Sequence, residues 1–295
     1  MRIGIYGNRL GKDERAWVVE FLQFLIKSGY KLSVYNVLLD LLPFEIRKNQ
    51  DTVALQLSSE IEDHELDFMI SLGGDGTMLR AVLFSYKNKL PVLGVNLGRL
   101  GFLASIEKEH ARRAVEDILN DRFYIENRTM LHLESTPVLF GDSPVALNDF
   151  TVFKRDTSSM IAIHAYINGE FLNTYWSDGI IVSTPTGSTG YSLSCGGPIV
   201  FPGSGNFVLT PVATHNLNVR PLVLKDDCVI SLELEGRTDS FLCSMDSRFE
   251  RIKGNYEIAL RKSEYLARII HLHDYSFAET LRKKLTWGVD KRTLK

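Results

Sequence analysis

The sharpest candidate for chemistry in this chain is the run Gly73-Gly-Asp-Gly-Thr77, in which one carboxylate stands among three glycines. The run follows an apolar stretch, 67–72, that predicts a strand, and it precedes a segment with helical spacing. Glycines let backbone amides approach a ligand, and a helix start offers unpaired N–H groups to a phosphate. Asp75 could accept the proton of an attacking hydroxyl there, or hold a metal carried by phosphates. The alternative is a glycine turn with a solvated aspartate.

Two further segments are rich in glycine or hydroxyl groups. The loop Asn96–Leu103 follows the next predicted strand, so its glycines would line the same edge of the sheet, unless it is an ordinary connection. The block Asp178–Pro198 leads from a predicted strand, 180–183, through closely spaced Ser, Thr and Gly into a short helical segment starting near Ser188. Such a block suits the ribose and phosphate groups of a nucleotide. Tyr191 could stack on a base, and the alternative is a core tyrosine.

The elements around these segments predict two domains. Over residues 1–122, short apolar strands alternate with helical patterns, which indicates an α/β domain with a parallel sheet. Over 123–274, runs rich in Val, Ile, Thr and aromatics recur between turn residues, which indicates a mainly antiparallel β domain. A capping box at Ser276 and Glu279 and an apolar repeat at Phe277, Leu281 and Leu285 predict a helix over 275–295. We expect this helix to complete the first domain.

Composition limits the class of protein. The 295 residues carry 34 basic and 36 acidic side chains, and a net charge of −2 offers little attraction to nucleic acid or an anionic membrane. Cys195, Cys228 and Cys243 are far apart, as expected for reduced thiols in a cytosolic protein. We expect no signal peptide and no membrane span, and hence a soluble cytoplasmic protein. The histidines lack the partners of a zinc site, so we expect no metal held by the protein alone.

Four segments, in their order and spacing, resemble the NAD kinase family: Gly73–Thr77, Asn96–Leu103, the pair Asn148-Asp149, and Asp178–Pro198. The first is shared with diacylglycerol, sphingosine and phosphofructokinase-type enzymes, whereas the run STPTGSTGYSLS over 183–194 is far more specific. The resemblance covers residues 3–275. It implies transfer of the terminal phosphoryl group of ATP to the 2′-hydroxyl of the adenosine ribose of NAD, giving NADP. It also implies a divalent cation, Mg²⁺, brought in on the triphosphate, a nucleotide-binding first domain, and a second domain that binds the dinucleotide.

The resemblance also implies roles for individual residues. Asp75 is the catalytic residue that orients or deprotonates the hydroxyl. The residues implied to bind NAD or ATP are Gly74, Gly76, Thr77, Arg80, Asn148, Asp149, Trp176, Asp178, Thr189, Gly190, Tyr191, Ser192, Leu193, Ser194, Ala213 and Arg248. Three of these depart from the family pattern, since Gly190 replaces Ala, Trp176 replaces Gly or Arg, and Arg248 stands where Gln is common. The family forms homodimers and homotetramers, which implies a homo-oligomer here.

Several alternatives stay open at this point. A lipid or sugar kinase would share the Gly73–Thr77 run but would need an apolar acyl pocket or a sugar-phosphate site in place of the hydroxyl block. A non-enzymatic NAD(P)-binding sensor would keep the pocket without needing the carboxylate of Asp75. Trp176 is either part of the dinucleotide site or a tryptophan packed under the β domain. The sequence leaves open the preference between NAD and NADH and the choice between ATP and polyphosphate.

Overall fold

The computed structural model describes residues 1–155, 160–236, 240–254 and 256–287. They fall into two compact units, Met1–Asn127 with the chain from Arg268 onward, and Arg128–Ala267. The sequence predicts a return to the first domain at residue 275, whereas the first unit takes the chain back at Arg268. The reason is a strand ending at Leu272, whose Ile269 pairs with Val92. The assignment of nucleotide binding to 1–122 and dinucleotide binding to 123–274 stays a prediction.

The helices and strands of the described residues follow each other along the chain with short connections. In chain order they are β1 Arg2–Tyr6, α1 Lys12–Lys27, β2 Lys31–Tyr35, α2 Asn36–Leu39, α3 Phe44–Arg47, β3 Thr52–Leu55, α4 Glu60–Asp63, β4 Phe68–Leu72, α5 Asp75–Ser85, β5 Val92–Asn96, β6 Ile106–Glu107, α6 Ala111–Leu119, β7 Phe123–Thr136, β8 Val145–Ala146, β9 Asp149–Lys154, β10 Ile161–Ile167, β11 Glu170–Ser177, β12 Gly179–Ser183, α7 Tyr191–Ser194, β13 Asn206–Val212, β14 Leu222–Lys225, β15 Ile230–Glu235, β16 Ser240–Met245, β17 Arg248–Lys253, β18 Glu257–Leu272 and α8 Phe277–Leu285. Short 3₁₀ turns cover Tyr86–Asn88, Lys108–His110 and Gly187–Thr189.

The first unit is built on a parallel sheet, as the sequence predicts. Its strands lie in the order β3-β2-β1-β4-β5, and β6 and the end of β18 also pair with β5. β4 and β5 are buried along their whole length, which is typical of parallel strands covered on both faces. Helix α1 packs Phe21, Leu22 and Leu25 into the same core cluster as Ile3 and Ile5 of β1.

The sheet brings the two glycine loops together. β4 and β5 are parallel neighbours, so both loops leave the sheet at the carboxyl ends of these strands. The helix after the first loop begins earlier than the sequence indicates. Helical spacing predicts a start near Met78, whereas α5 starts at Asp75, with Gly74 as its N-cap. The predicted catalytic carboxylate therefore lies in the first turn of a helix rather than in a free loop.

The second unit consists of antiparallel sheets, which confirms the predicted fold class for this half of the chain. One has six strands in the order β14-β13-β12-β9-β16-β17, and the other pairs β11, β10, β15 and the first part of β18. A single core cluster draws side chains from both sheets, including Phe150 and Ile180 from the first and Ile163 and Leu232 from the second. The sheets are therefore layers around one apolar core.

The structure corrects several predicted elements. The strand predicted over 145–153 is broken into β8 and β9 by Leu147 and Asn148. The strands predicted over 256–261 and 265–271 form one strand, β18. The elements that the sequence does not predict are short or carry mixed polar residues without a clear period, and they are α2, α3, α4, β3, β6, β11, β14 and β17.

The predicted C-terminal helix is present as α8, which ends at Leu285. The Ser276 hydroxyl accepts the N–H of Glu279 at 3.3 Å, so half of the predicted capping box forms, while the Glu279 carboxylate pairs with Lys283 at 2.9 Å instead. Within the first unit, Lys284 donates a hydrogen bond to the backbone carbonyl of Leu100. Residues 288–295 of the predicted helix lie outside the described residues. No helix in the described part of the chain has the length and apolarity needed to cross a bilayer.

Candidate functional site

Asp75 is held in place by the backbone of the second glycine loop. Its Oδ2 accepts the N–H of Phe102 at 2.8 Å, and its Oδ1 accepts those of Leu103 and Ala104, each at 3.0 Å. The two predicted glycine loops thus meet at this one carboxylate. A carboxylate offers about four lone-pair positions, so three amides orient the group and leave it room to accept one more proton donor. A fixed but unsaturated carboxylate is what a general base needs.

The close approach of the loop depends on Gly101. A Cβ at this position would lie 1.9 Å from Oδ1 of Asp75, a distance that no real side chain could occupy. The side chain of Asn96 closes the loop at its start, because its Oδ1 accepts the N–H of Gly98 at 2.7 Å and its amide nitrogen donates to the carbonyl of Arg99. The loop Asn96–Leu103 is therefore more than a connection, since it positions the acid.

The other predicted residues of the first unit surround Asp75 along α5. Gly74 and Gly76 are exposed, and neither has an atom within 4 Å of a built Cβ. Thr77 lies against Gly73, and Arg80 is exposed. The start of α5 gives this region the unpaired amides and positive dipole end that favour a phosphate. Their contact with ATP or NAD stays a prediction.

In the second unit, Asn148 and Asp149 present side-chain oxygens that accept no hydrogen bond from the described residues. Asp149 is only 8% exposed, and no hydrogen bond to its carboxylate comes from the described residues. Burial, together with the charge of Asp246, raises the pKa of Asp149 to about 7. The side-chain oxygen of Asn148 is also buried without a partner in the described part of the chain. Buried polar atoms of this kind are costly unless a ligand or water satisfies them.

The hydroxyl block holds the backbone of this pair. The N–H of Thr184 donates to the carbonyl of Asn148 at 2.9 Å, and its hydroxyl donates to the carbonyl of Leu147 at 2.5 Å. Gly187 packs directly on the same peptide, since a Cβ there would lie 2.2 Å from the carbonyl oxygen of Asn148. The STPTGSTGYSLS run and the Asn148-Asp149 pair are distant in sequence but are therefore in direct contact in the structure.

Most hydroxyls of the block 183–194 form hydrogen bonds within the protein instead of facing solvent. Ser188 bonds the carbonyl of Pro185 at 2.7 Å, Thr189 that of Thr186 at 3.2 Å, and Ser192 the hydroxyl of Thr210 at 2.8 Å. The predicted dinucleotide contacts on this turn are Thr189, Gly190, Tyr191, Ser192, Leu193 and Ser194, and they stay a prediction. Tyr191 is 45% exposed, which excludes the core alternative.

Trp176 lies near the end of β11, Asp178 lies between β11 and β12, and Ala213 follows β13, the strand that pairs with β12. Trp176 is 51% exposed, so it is not packed under the β domain. The Asp178 carboxylate pairs with Lys154 at 2.5 Å. Ala213 is exposed and has a φ of +48°. The structure does not test whether the three contact the dinucleotide.

Arg248 faces the protein backbone. Its two terminal nitrogens donate to the carbonyls of Ser143 and Val145, each at 2.6 Å. The resemblance implies a place for it in the pocket, and that role stays a prediction. No role is predicted for Asp246, two residues earlier, whose carboxylate accepts backbone N–H groups from 147 to 149. An acid in a two-residue turn between strands was the available signal.

In the ranges that the structure describes, no group of three or more His, Cys, Asp and Glu side chains is placed to hold a metal ion. The three cysteines are free, and Cys228 and Cys243 are buried.

Comparison with known proteins covers almost the whole chain. Residues 3–123 match the model of the ATP-NAD kinase N-terminal domain, and residues 147–272 match that of the ATP-NAD kinase C-terminal domain. An NAD kinase of Cytophaga hutchinsonii is 41% identical over 292 residues, which cover 99% of this chain and all of that protein. An NAD kinase of Flavobacterium johnsoniae is 39% identical over 294 residues, with the same coverage.

Two solved structures share the fold. Yeast NADH kinase complexed with NADH matches with a TM-score of 0.87 at 23% identity, covering 100% of this chain and 90% of that one. An NAD kinase from Archaeoglobus fulgidus in complex with ATP matches with a TM-score of 0.72 at 24% identity, covering 97% of this chain and 99% of that one. The two matching family models and the full-length relatives establish that the chain belongs to the ATP-NAD kinase family.

Proposed function

We propose that this protein is an ATP-dependent NAD kinase that transfers the terminal phosphoryl group of ATP to the 2′-hydroxyl of the adenosine ribose of NAD. The observation that carries the proposal is the pair Asn148-Asp149: in the described part of the protein, the buried side-chain oxygen of Asn148 has no partner, and the largely buried carboxylate of Asp149 receives no hydrogen bond. Ribose hydroxyls can donate to the carboxylate, and an adenine amino group can donate to the amide oxygen. The relatives named NAD kinase support the same substrate.

Asp75 supplies the base. Three amides fix its carboxylate without using its whole accepting capacity, so it can accept the proton of the attacking hydroxyl. Phosphoryl transfer needs little covalent chemistry from the protein, because positioning and charge stabilisation dominate. The base therefore orients the hydroxyl as much as it deprotonates it.

The triphosphate is proposed to lie at the start of α5, against Gly74, Gly76, Thr77 and Arg80. Unpaired amides at a helix start and one exposed guanidinium favour an anion there. The divalent cation, Mg²⁺, enters as part of the ATP substrate, in keeping with the lack of a protein donor cluster among the described residues. When bound, it neutralises charge on the transferring phosphoryl group.

The alternatives have less support. A lipid kinase would need an apolar pocket in place of the block 183–194, where the buried side chains are mostly hydroxyls bonded to backbone. A sensor would not need Asp75, whose geometry is that of an oriented base. We further propose a cytoplasmic homo-oligomer, a dimer or tetramer, which light scattering on the pure protein would test.

The decisive experiment is an assay for NADP. The pure protein is incubated with NAD, ATP and Mg²⁺, and NADP is measured with an NADP-specific dehydrogenase. NAD lacking the 2′-hydroxyl is the matched control and should give no phosphoryl transfer. NADH in place of NAD, and polyphosphate in place of ATP, define the preferences that the sequence leaves open. Absence of NADP, with transfer to a diacylglycerol, sphingosine or sugar phosphate instead, would overturn the proposal.

A further inference from the structure

Asp246, in the turn between β16 and β17, forms hydrogen bonds to the backbone of the Asn148-Asp149 pair. Asp246 Oδ2 accepts the N–H of Leu147 at 3.0 Å, and Oδ1 accepts those of Asn148 at 2.8 Å and Asp149 at 3.3 Å. The N–H of Asp246 in turn donates to the carbonyl of Asp149 at 3.0 Å. One carboxylate therefore gathers three successive amides.

The same backbone is held from its other side by the hydroxyl block. Thr184 donates to the carbonyls of Leu147 and Asn148, so the amides of these residues face Asp246 and their carbonyls face Thr184. Hydrogen bonds thus fix both sides of the peptide groups, and the side chains of Asn148 and Asp149 remain for a ligand. Asp246 also has a φ of +53°, a strained conformation that Asp and Asn tolerate better than most residues.

We propose that Asp246 is a positioning residue for the dinucleotide, which fixes the backbone from Leu147 to Asp149 and so aims the side chains of Asn148 and Asp149 at the substrate. The proposal rests on the proposed function of that pair. Asp246 acts through its neighbours and needs no contact with the reacting atoms.

The charge of Asp246 gives the proposal a distinct signature. Burial raises the pKa of Asp149 to about 7, and repulsion from Asp246 contributes to the rise. Burial also raises the pKa of Asp246, against which the three amides and Arg248 act. The segment 183–194, which packs on the other side of the pair, has no charged side chain, and its titratable group is the phenol of Tyr191.

The sign of the pH effect follows from these contacts. Ionised Asp149 accepts hydrogen bonds from ribose hydroxyls more strongly than the protonated acid does, so affinity for NAD should rise as the pH rises through about 7. Removing the negative charge of Asp246 lowers the pKa of Asp149. The transition in NAD affinity then moves to lower pH.

The experiment compares three variants of the full chain. Asp246→Asn keeps the shape and the tolerated backbone conformation but removes the charge and one acceptor oxygen, whereas Asp246→Gly removes all acceptors. Asp226→Asn is the matched control, since Asp226 is a buried aspartate of the same unit that pairs with Lys262 at 2.8 Å. Both Asp246 variants should raise KM for NAD by about tenfold or more and leave KM for ATP within about twofold, and the control should change neither. Asp246→Asn should also move the midpoint of the NAD pH profile downward.

The outcomes separate this proposal from the proposed function. Folded Asp246 variants with the parent KM for NAD and the parent midpoint would overturn it, and so would losses shared equally with Asp226→Asn. If the parent protein makes no NADP at all, the proposed function fails, and carboxyl NMR of the ligand-free protein still tests the contact. An Asp149 pKa that does not change in Asp246→Asn would then overturn the proposal.

Discussion

Gly101 offers a way to disturb the proposed base without altering any chemical group of the site. A Cβ at this position would lie 1.9 Å from Oδ1 and 2.6 Å from Cγ of Asp75, whereas real side chains keep at least 3.0 Å. Gly101→Ala must therefore separate the loop from the carboxylate by about 1 Å, and a displacement of that size can cost about 10²-fold in rate. We expect kcat for NADP formation to fall by about that factor, or ~2.7 kcal/mol in the activation barrier.

The matched control is Gly98→Ala in the same loop. Gly98 has no positive φ, and nothing lies within 4 Å of a built Cβ, so this variant carries the same change of residue without the clash. NAD binding, followed by calorimetry, should be kept in both variants because Asn148 and Asp149 are untouched. If kcat of Gly101→Ala stays within about threefold of the control, the three-amide cradle is not what prepares Asp75, and the reasoning is refuted.

Three further predictions concern the side chains themselves. Asp75→Asn should keep NAD binding and lower kcat by about 10²–10⁴-fold. The control is Asp67→Asn, which loses one contact to the amide of Arg2 (2.8 Å). An Asp75→Asn variant with more than half the parent rate would contradict the catalytic role. Asp149→Ala removes the partner of buried ribose hydroxyls and should raise KM for NAD, or weaken its binding in calorimetry, by roughly tenfold, and an unchanged value would make the pair structural. Trp176→Arg adds a charge at a half-exposed position and should change the ratio of kcat/KM for NAD over NADH by at least about fivefold; a ratio unmoved within error would place Trp176 outside the site.

The sequence predicted the fold class well because its signals are local. Buried runs such as β4 and β5 and the polar turns between β strands appear directly in residue order. The parallel pairing in the first unit and the antiparallel pairing in the second both match the prediction. Long-range pairing is harder to predict. The break at Leu147 and Asn148 arises because Asp246 and Thr184 take the hydrogen bonds that a continuous strand would have used.

The site was predicted as a set of motifs rather than as a geometry. Asp75 was identified from its glycines, but its three amide partners lie in another loop, and backbone groups leave no mark in the sequence. The hydroxyls of the block 183–194 were interpreted as ligand groups, whereas Ser188 and Ser192 bond within the protein. Residue types show which side chains can form hydrogen bonds, whereas the partners of these bonds depend on the folded structure.

The hydroxyls of the block 183–194 form hydrogen bonds within the protein. The presence of this block therefore indicates the fold of the chain, and it does not indicate whether the protein catalyses phosphoryl transfer. Thr184 and Gly187, which contact the backbone of Leu147 and Asn148, would be needed by any variant that keeps this backbone in place. In the proposed mechanism, turnover depends on the single carboxylate of Asp75. One substitution there is expected to lower the rate of phosphoryl transfer by about 10²–10⁴-fold while leaving the proposed dinucleotide site intact. The proposed division of roles therefore separates an enzyme that consumes NAD from a protein that only binds it by a single substitution.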